Sequence, residues 1–592
     1  MIKNQSKLLV IGIDQAIPYF IRKFLADGVL PNIEHLVKNG VFGEGYSCVP
    51  CDTPTNWTTI ATGANTATHG VTSFYMHLPG EPLDLGMKYR SRTQLYKNCR
   101  AQYIWDVADN NGFKPFVLNY PSGWPSIFKN GVMSLFSWNI PESLPKMLIS
   151  SEINKIVSRS QYPLISSDIV KKIFENIKNL AQNLGMSIEG QISDYLKNIK
   201  INLTKSNVNL EIYDSIRISE KYSGKVKIIK EGEWSQWLKL DINSEYGVLP
   251  SLFRIRLLKI EENGKFIELE HSGIYNTKGW SVPESFGEKI VKKRDFNWDF
   301  CFFHYHPLDT VNHDLLAYFY KDSRVYTQEK ANKALNNVKT AYQIVDEMVG
   351  ELMKRCIDKD TITLFLSDHG AIPVWKVANI TKILIQAELI TYKFIKSQKK
   401  YIIDWNKTKA FPYMEPPFIW VNLQGRDPNG IVEQKDYESV RDYIIEVLLN
   451  ARDQKTNVKI IDKALKREDA TNFGLNGERI GDVVYFLKSP YGIFDGDLDA
   501  MDASSLSSNA YNKPIAYDSK KFFGAHAYYT PDTVLGDFSI SVPLVICGKG
   551  IKKGEHLNRI INLTDIAPTL SHLLNIPKPK QAQGSIIYDI QE

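Results

Sequence analysis

The sequence predicts an α/β protein: a mostly parallel central sheet flanked by helices, carrying a β-rich insertion and a second α+β insertion. Three observations predict it. Continuous apolar runs of strand length recur at Leu8 to Ile13, Phe300 to Tyr305 and Thr361 to Leu366, the signature of strands buried on both faces. Helical periodicity fills the intervals between such runs, as βαβ units require. The runs also lead into Asp or His, at the sheet edge where open α/β folds keep their chemistry.

At 592 residues the chain exceeds one ordinary core, so several domains or one core with large insertions are expected. The 72 basic residues barely outnumber the 66 acidic ones, which gives no signal for nucleic acid or an anionic membrane. No apolar run approaches the roughly 20 residues that span a bilayer. The polar start, Met1 to Lys7, runs into a core strand without a signal-peptide pattern, so a cytoplasmic location is expected. The six cysteines are scattered, and Cys48-x-x-Cys51 has no second pair to complete a zinc site.

Leu8 to Ile13 is the first strand, closed by Asp14. Pro50 to Gly63 reads as a loop feeding a short helix, with Thr53 at the N-cap, Pro54 at the first helical position and Gly63 as the stop. A hydroxyl at Thr53 caps a helix or, where a metal or base removes its proton, acts as a nucleophile. Phe113 to Tyr120 is a further strand, and residues 1–150 form the first part of the core. Residues 151–294 form an insertion, polar and helical to about 205, then β-rich with short alternating strands. The core resumes over 295–384, with Phe300 to Tyr305, the long amphipathic helix Tyr326 to Cys356, and Thr361 to Leu366. A second insertion covers 385–480. The core ends over 481–592, where Gly481 to Leu487 reads as a return to the sheet.

Asp14, Asp309-x-x-x-His313, Asp368-His369-Gly370 and Gly524-Ala525-His526 all stand where strands deliver their carboxyl ends. The i,i+4 spacing of Asp309 and His313 lets both face one ion. Three carboxylates, three imidazoles and one hydroxyl, with no thiolate, suit Zn²⁺ or Mn²⁺. His304 and His306 read as packed or surface residues rather than ligands, and His69 as structural.

Asp14 after Val10-Ile11-Gly12-Ile13, Thr53 nine residues before Thr62-Gly63, His69-Gly70, the three Asp/His motifs and Thr564-Asp565-Ile566-Ala567-Pro568-Thr569-Leu570 resemble the alkaline phosphatase superfamily. Within it the pattern is most similar to the type I phosphodiesterase/nucleotide pyrophosphatase family. The resemblance covers about residues 5–145, 295–385 and 480–592, and neither insertion carries any of it. It implies an alkaline-phosphatase-like core and a hydrolase with two divalent ions, zinc or manganese, acting on a small phosphoester. By that resemblance Thr53 is the nucleophile; Asp309, His313 and His526 hold one ion; Asp14, Asp368 and His369 hold the other, with Thr53 between. Asn56 is a candidate substrate contact, and Trp57 or Phe74 would pack against a second ester group. Where eukaryotic-type members carry an oxyanion-binding Asn after His-Gly, this chain reads Val71-Thr72-Ser73-Phe74. The sulfatase signature Cys/Ser-x-Pro-x-Arg is absent. The alternatives are a phosphomonoesterase or phosphomutase of the same superfamily, or a non-catalytic protein that keeps the fold.

Overall fold

Strand β1 (Lys7–Ile13) is buried at every residue but its first, as its uninterrupted apolar run requires. The computed structural model of the chain describes residues 6–88, 90–124, 298–495 and 501–592, a few residues between 128 and 136, and backbone segments between 188 and 276. It divides into two units. The first comprises Met1–Val107, Pro121–Gly123 and Phe303–Glu592, the second Ala108–Tyr120 and Trp124–Phe302.

In chain order, the elements that place the site are β1, α1 (Pro31–Lys38), β2 (Gly40–Tyr46), α2 (Thr53–Thr62), β3 (Phe300–Tyr305), α3 (Pro307–Leu315), α4 (Gln328–Cys356), β4 (Thr361–Leu366) and β5 (Val542–Cys547). β1 and β4 are parallel, in register from Lys7 opposite Thr361 to Gly12 opposite Leu366. β5 runs antiparallel to both β4 and β2. β2 in turn pairs in parallel with the short strands Glu555–His556 and Ile561–Asn562. Because β1 and β4 share a direction and a register, Asp14 and Asp368 emerge side by side. The last residue of β3 joins them, its Tyr305 carbonyl accepting from Asp14 N–H (2.9 Å).

Helix α4 begins at Thr327, whose hydroxyl accepts from Lys330 N–H (3.2 Å), a standard cap. Its stripe Val338, Tyr342, Val345, Met348, Val349 and Leu352 is buried. Two of its polar groups reach beyond the helix. Tyr342 accepts from Ile17 N–H (2.9 Å). The Asp346 carboxylate accepts from Asn32 N–H (3.2 Å) and Ile33 N–H (2.8 Å), capping α1, which has no capping side chain of its own.

Val483–Leu487 departs from expectation. It is buried throughout, but it pairs antiparallel with Phe418–Val421 and Ile461–Lys466, strands of the second insertion. An apolar run announces a buried strand without saying which sheet buries it. The insertion's sheet, completed by Ala410–Tyr413, carries the helix Tyr437–Asn450, so its α+β character stands.

In the second unit Pro115–Leu118 pairs in parallel with Val132–Met133. An antiparallel five-stranded sheet runs from Ile188–Glu189 to Val226–Ile229, and further antiparallel pairs follow to Tyr275–Asn276. Ile188–Glu189 and Ile199–Leu203 are thus strands within a stretch expected to be helical. The rest of 151–205 lies outside the described residues.

One close approach fixes α2 on β1. A Cβ on Gly12 would come within 2.6 Å of Trp57 Cζ3, and Trp57 is fully buried. The indole therefore rests on bare backbone. Gly12→Ala should destabilise the fold by about 1–3 kcal/mol through overpacking. Thermal unfolding checks this, and an unchanged Tm would mean that α2 shifts freely.

Candidate metal centre

Helix α2 starts one residue earlier than the sequence suggests. Asp52, extended at φ −135°, is its N-cap, Thr53 is the first helical residue, and Gly63 ends it in the left-handed conformation (φ 69°). Thr53 is therefore not the cap, and its hydroxyl is released for other contacts. Thr53 Oγ1 lies 3.2 Å from His369 Nε2 and 3.4 Å from Asp14 Oδ1, in a buried setting.

The six residues expected as ligands fall into two groups. In each, one potential ligand atom per residue lies within 4.8 Å of the others. Asp309, His313 and His526 form one group, and Asp14, Asp368 and His369 the other. On α3 the i,i+4 pair meets directly, His313 Nε2 being 3.1 Å from Asp309 Oδ1. His526 follows the short strand Gly524–Ala525, which pairs with Ile372–Pro373 just beyond His369. The His369 and His526 rings stack at 3.7 Å and bring the two groups into contact.

All three imidazoles are oriented alike. Nδ1 of His313 lies 2.7 Å from Gly524 O, that of His526 2.7 Å from Cys51 O, and that of His369 3.1 Å from Gly370 O. A carbonyl can only accept, so each Nδ1 carries a proton and each Nε2 faces the centre, as a lone pair wherever the ring is neutral. Ligating histidines are held in this way.

The electrostatics leave room for cations. Burial and the charge of Asp14 push Asp368 well above the usual carboxylate range. Its Oδ2 is buried with no hydrogen-bond partner among the described residues, and the His369 ring lies 3.2 Å from it. Burial, with His369 and His313 nearby, holds His526 well below its ordinary value. Burial likewise lowers His369. Both are therefore neutral bases near pH 7. Burial opposes ionisation of Asp309 and His313, yet their mutual attraction prevails, lowering Asp309 to about 2 and raising His313 to about 9. An orphaned carboxylate oxygen and inward-facing imidazole lone pairs, with no thiolate among the donors, fit divalent ions of the zinc or manganese kind.

His304 and His306, read as packed or surface residues, stand at the centre, grouped with Asp14. Both reach Asp14 Oδ2, His304 Nε2 at 2.9 Å and His306 Nδ1 at 2.8 Å. His306 Nε2 also lies 3.4 Å from Asp309 Oδ2, which links the two groups. The available signal was their i,i+2 spacing at a strand end, which puts both on one face. Asp52 joins as well, grouped with His369 and His526 and hydrogen-bonded by the Ser73 hydroxyl. His69 has the structural role expected, bonding Thr59 Oγ1 and Val71 N–H (both 3.1 Å).

Two expected substrate contacts are corrected. Asn56 is fully buried, and its amide serves the preceding loop. Oδ1 accepts from Cys48 N–H (2.7 Å), while Nδ2 donates to the carbonyls of Cys48, Pro50 and Asp52 (3.0–3.2 Å). Trp57 is buried against Gly12 and edge-on to His304 (4.9 Å), so it offers no face to a ligand. Asn56→Ala should therefore lower the stability of the metal-free chain by about 1–3 kcal/mol, because it orphans buried backbone groups. A residue that only touches substrate would leave the thermal midpoint unmoved.

The sequence matches the type I phosphodiesterase / nucleotide pyrophosphatase family over residues 8–528. Among solved structures, murine ectonucleotide pyrophosphatase / phosphodiesterase 5 is similar at 11% identity and a TM-score of 0.49, covering 99% of this chain and 100% of that one. Wild-type alkaline phosphatase PafA is similar at 15% identity and a TM-score of 0.49, covering 99% of both chains. A curated relative, "Putative extracellular sulfatase Sulf-1 homolog" of Caenorhabditis elegans, is 35% identical over 54 residues, 9% of this chain and 8% of that protein's length.

Proposed function

The chain belongs to the type I phosphodiesterase / nucleotide pyrophosphatase family, and we propose that it hydrolyses a phosphodiester or nucleotide pyrophosphate bond with Thr53 as nucleophile. The observation that carries this reading is the position of Thr53 Oγ1, 3.2 Å from His369 Nε2 and 3.4 Å from Asp14 Oδ1, beside the ligand groups. Asp309, His313 and His526 would hold one divalent ion, and Asp14, Asp368 and His369 the other. Zinc is the ion that this donor set favours, with manganese second. Such ions supply Lewis acidity, making a hydroxyl acidic near neutral pH and offsetting phosphoryl charge.

The chain's own residues do the rest. Thr53, in the first turn of α2, stands where unpaired backbone N–H groups and the helix dipole favour an anion. Its hydroxyl gives up its proton and Oγ1 bonds to phosphorus as the bond to the leaving oxygen breaks. The leaving group takes up a proton. Water then displaces Oγ1 from phosphorus, which restores the threonine and leaves net retention.

The charge around the centre favours a diester over a monoester, the superfamily alternative. A monoester carries close to two negative charges at pH 7 and gains from a lysine or arginine on its free oxygens. The ion pairs of Asp14, Asp309 and Asp368 among the described residues are all with imidazoles. Arg92 is paired with Glu81, and Arg100 with Glu478.

Removing divalent ions with a chelator should abolish hydrolysis, and His526→Ala should lose bound metal without unfolding the sheet. Full turnover after exhaustive chelation would overturn the two-ion reading. Thr53→Ala should retain metal and lose several orders of magnitude in kcat, whereas Thr55→Ala should lose far less. Thr55 Oγ1 is buried with no hydrogen-bond partner among the described residues, and Thr55 is the nearest competing threonine along the sequence. A live Thr53→Ala and a dead Thr55→Ala would reverse the assignment. One aryl leaving group presented as both esters should give the higher kcat/KM as the diester. A preference for the monoester would place the chain on the phosphatase or mutase branch.

A further inference from the structure

Gln15 follows Asp14 at the end of β1 with φ at 54°, in the left-handed region that a side chain enters at a cost of about 1–3 kcal/mol. Its contacts explain why the position is held. Gln15 N–H donates to Asp368 Oδ1 (3.2 Å), in one ligand group. Its Nε2 donates to Asp309 Oδ1 (2.5 Å) and lies 3.3 Å from His313 Nε2, in the other. Its carbonyl accepts from Asn312 Nδ2 (2.7 Å), on the helix that carries both residues. One residue thus touches both halves of the centre.

The carboxamide is only half satisfied. Gln15 has no solvent exposure, and its Oε1 is buried without a hydrogen-bond partner among the described residues. An orphaned buried amide oxygen costs about 1–3 kcal/mol, so a fold keeps one for a reason. The amide nitrogen points the same way. It sits against Asp309 Oδ1 and His313 Nε2, atoms 3.1 Å apart that would bind one ion. Its N–H groups face the ligand atoms that a cation would take, so they cannot stay there once the ion enters. A half-turn of the amide exchanges N–H for Oε1, an oxygen of the kind divalent ions accept.

We propose that Gln15 is a further metal ligand: as the ion enters at Asp309 and His313, the carboxamide turns over and Oε1 joins the coordination shell. This rests on reading the two groups as metal sites. Because Gln15 N–H holds Asp368, the same residue ties the geometry of one site to the other.

The test uses the full chain, its Gln15→Gly variant, whose backbone adopts φ 54° freely, and Gln15→Glu, which offers a charged oxygen of the same reach. Metal-stripped protein is titrated with Zn²⁺ against a chromophoric chelator, ions per chain are counted by elemental analysis, and Co²⁺ absorption reports coordination. Metal-free Tm is the folding control. The parent and Gln15→Gly should both fold, with the affinity of the more weakly held ion about 10–100-fold lower in Gln15→Gly and its Co²⁺ spectrum altered. Gln15→Glu should bind at least as tightly as the parent. If Gln15→Gly holds both ions as tightly as the parent or tighter, the amide only plugs the empty site and the proposal is overturned. If Gln15→Gly does not fold, Gln15→Glu decides, and weaker binding than the parent overturns the proposal. A parent chain that takes up no Zn²⁺ refutes the two-site reading itself, and this proposal with it.

Discussion

Asp14, Asp309 and Asp368 place three carboxylates in one buried space, and much of the surrounding structure answers the repulsion that results. At the 4.8 Å that bounds the ligand atoms of Asp14 and Asp368, two full charges repel by about 3 kcal/mol at an effective dielectric constant near 20. Desolvation adds to this. The strain is distributed unevenly. Asp14 stays well below the usual carboxylate range despite its burial, because His306 and His304 face it. Asp368 faces His369, which burial keeps neutral, and its own burial with the charge of Asp14 pushes it well above that range. The centre is therefore an unfinished electrostatic structure, and a divalent cation would relieve its largest unfavourable interaction.

The sheet imposes that proximity rather than merely permitting it. β1 and β4 are hydrogen-bonded neighbours in parallel register, so their terminal aspartates cannot separate without breaking the pairing. Trp57 against bare Gly12 locks α2, and with it Thr53, to the same strand. The histidines are fixed by backbone carbonyls, which do not titrate and scarcely move, so their Nε2 atoms are set in place before any ligand arrives. Preorganisation of this sort lets a site spend its interactions on charge that develops during reaction.

The sheet and the six Asp and His residues that it brings together were legible because each is written locally: an apolar run, then an acid or histidine at its end. Asp309 and His313 add an i,i+4 spacing that lets both face one ion. What was not legible depends on tertiary context. Val483–Leu487 has the composition of a core strand yet pairs in the insertion, since periodicity does not name a partner. Asn56 has the polarity of a substrate contact, but its amide is consumed by loop carbonyls that no sequence pattern displays. Gln15 gave no signal, because a left-handed conformation is foreseen at glycine or asparagine rather than at glutamine. His304 and His306 were discounted on frequency, although their shared face at a strand end was visible.

Why Asp14 is held by imidazoles, and not by a lysine or arginine, follows from the same charge balance. A guanidinium at Asp14 Oδ2 would satisfy the carboxylate permanently. It would also place a fixed positive charge beside the ions, lowering the affinity for them that three carboxylates create. Two histidines donate hydrogen bonds to Oδ2 at 2.8–2.9 Å and orient the carboxylate so that Oδ1 faces Thr53, at 3.4 Å. They supply direction while remaining free to shed charge as a cation binds. His306 extends this across the centre, since its other nitrogen lies 3.4 Å from Asp309 Oδ2. A centre oriented by imidazoles, whose charge can be given up where a guanidinium's cannot, keeps its negative potential for metal and leaves little fixed positive charge for a second phosphoryl charge to use.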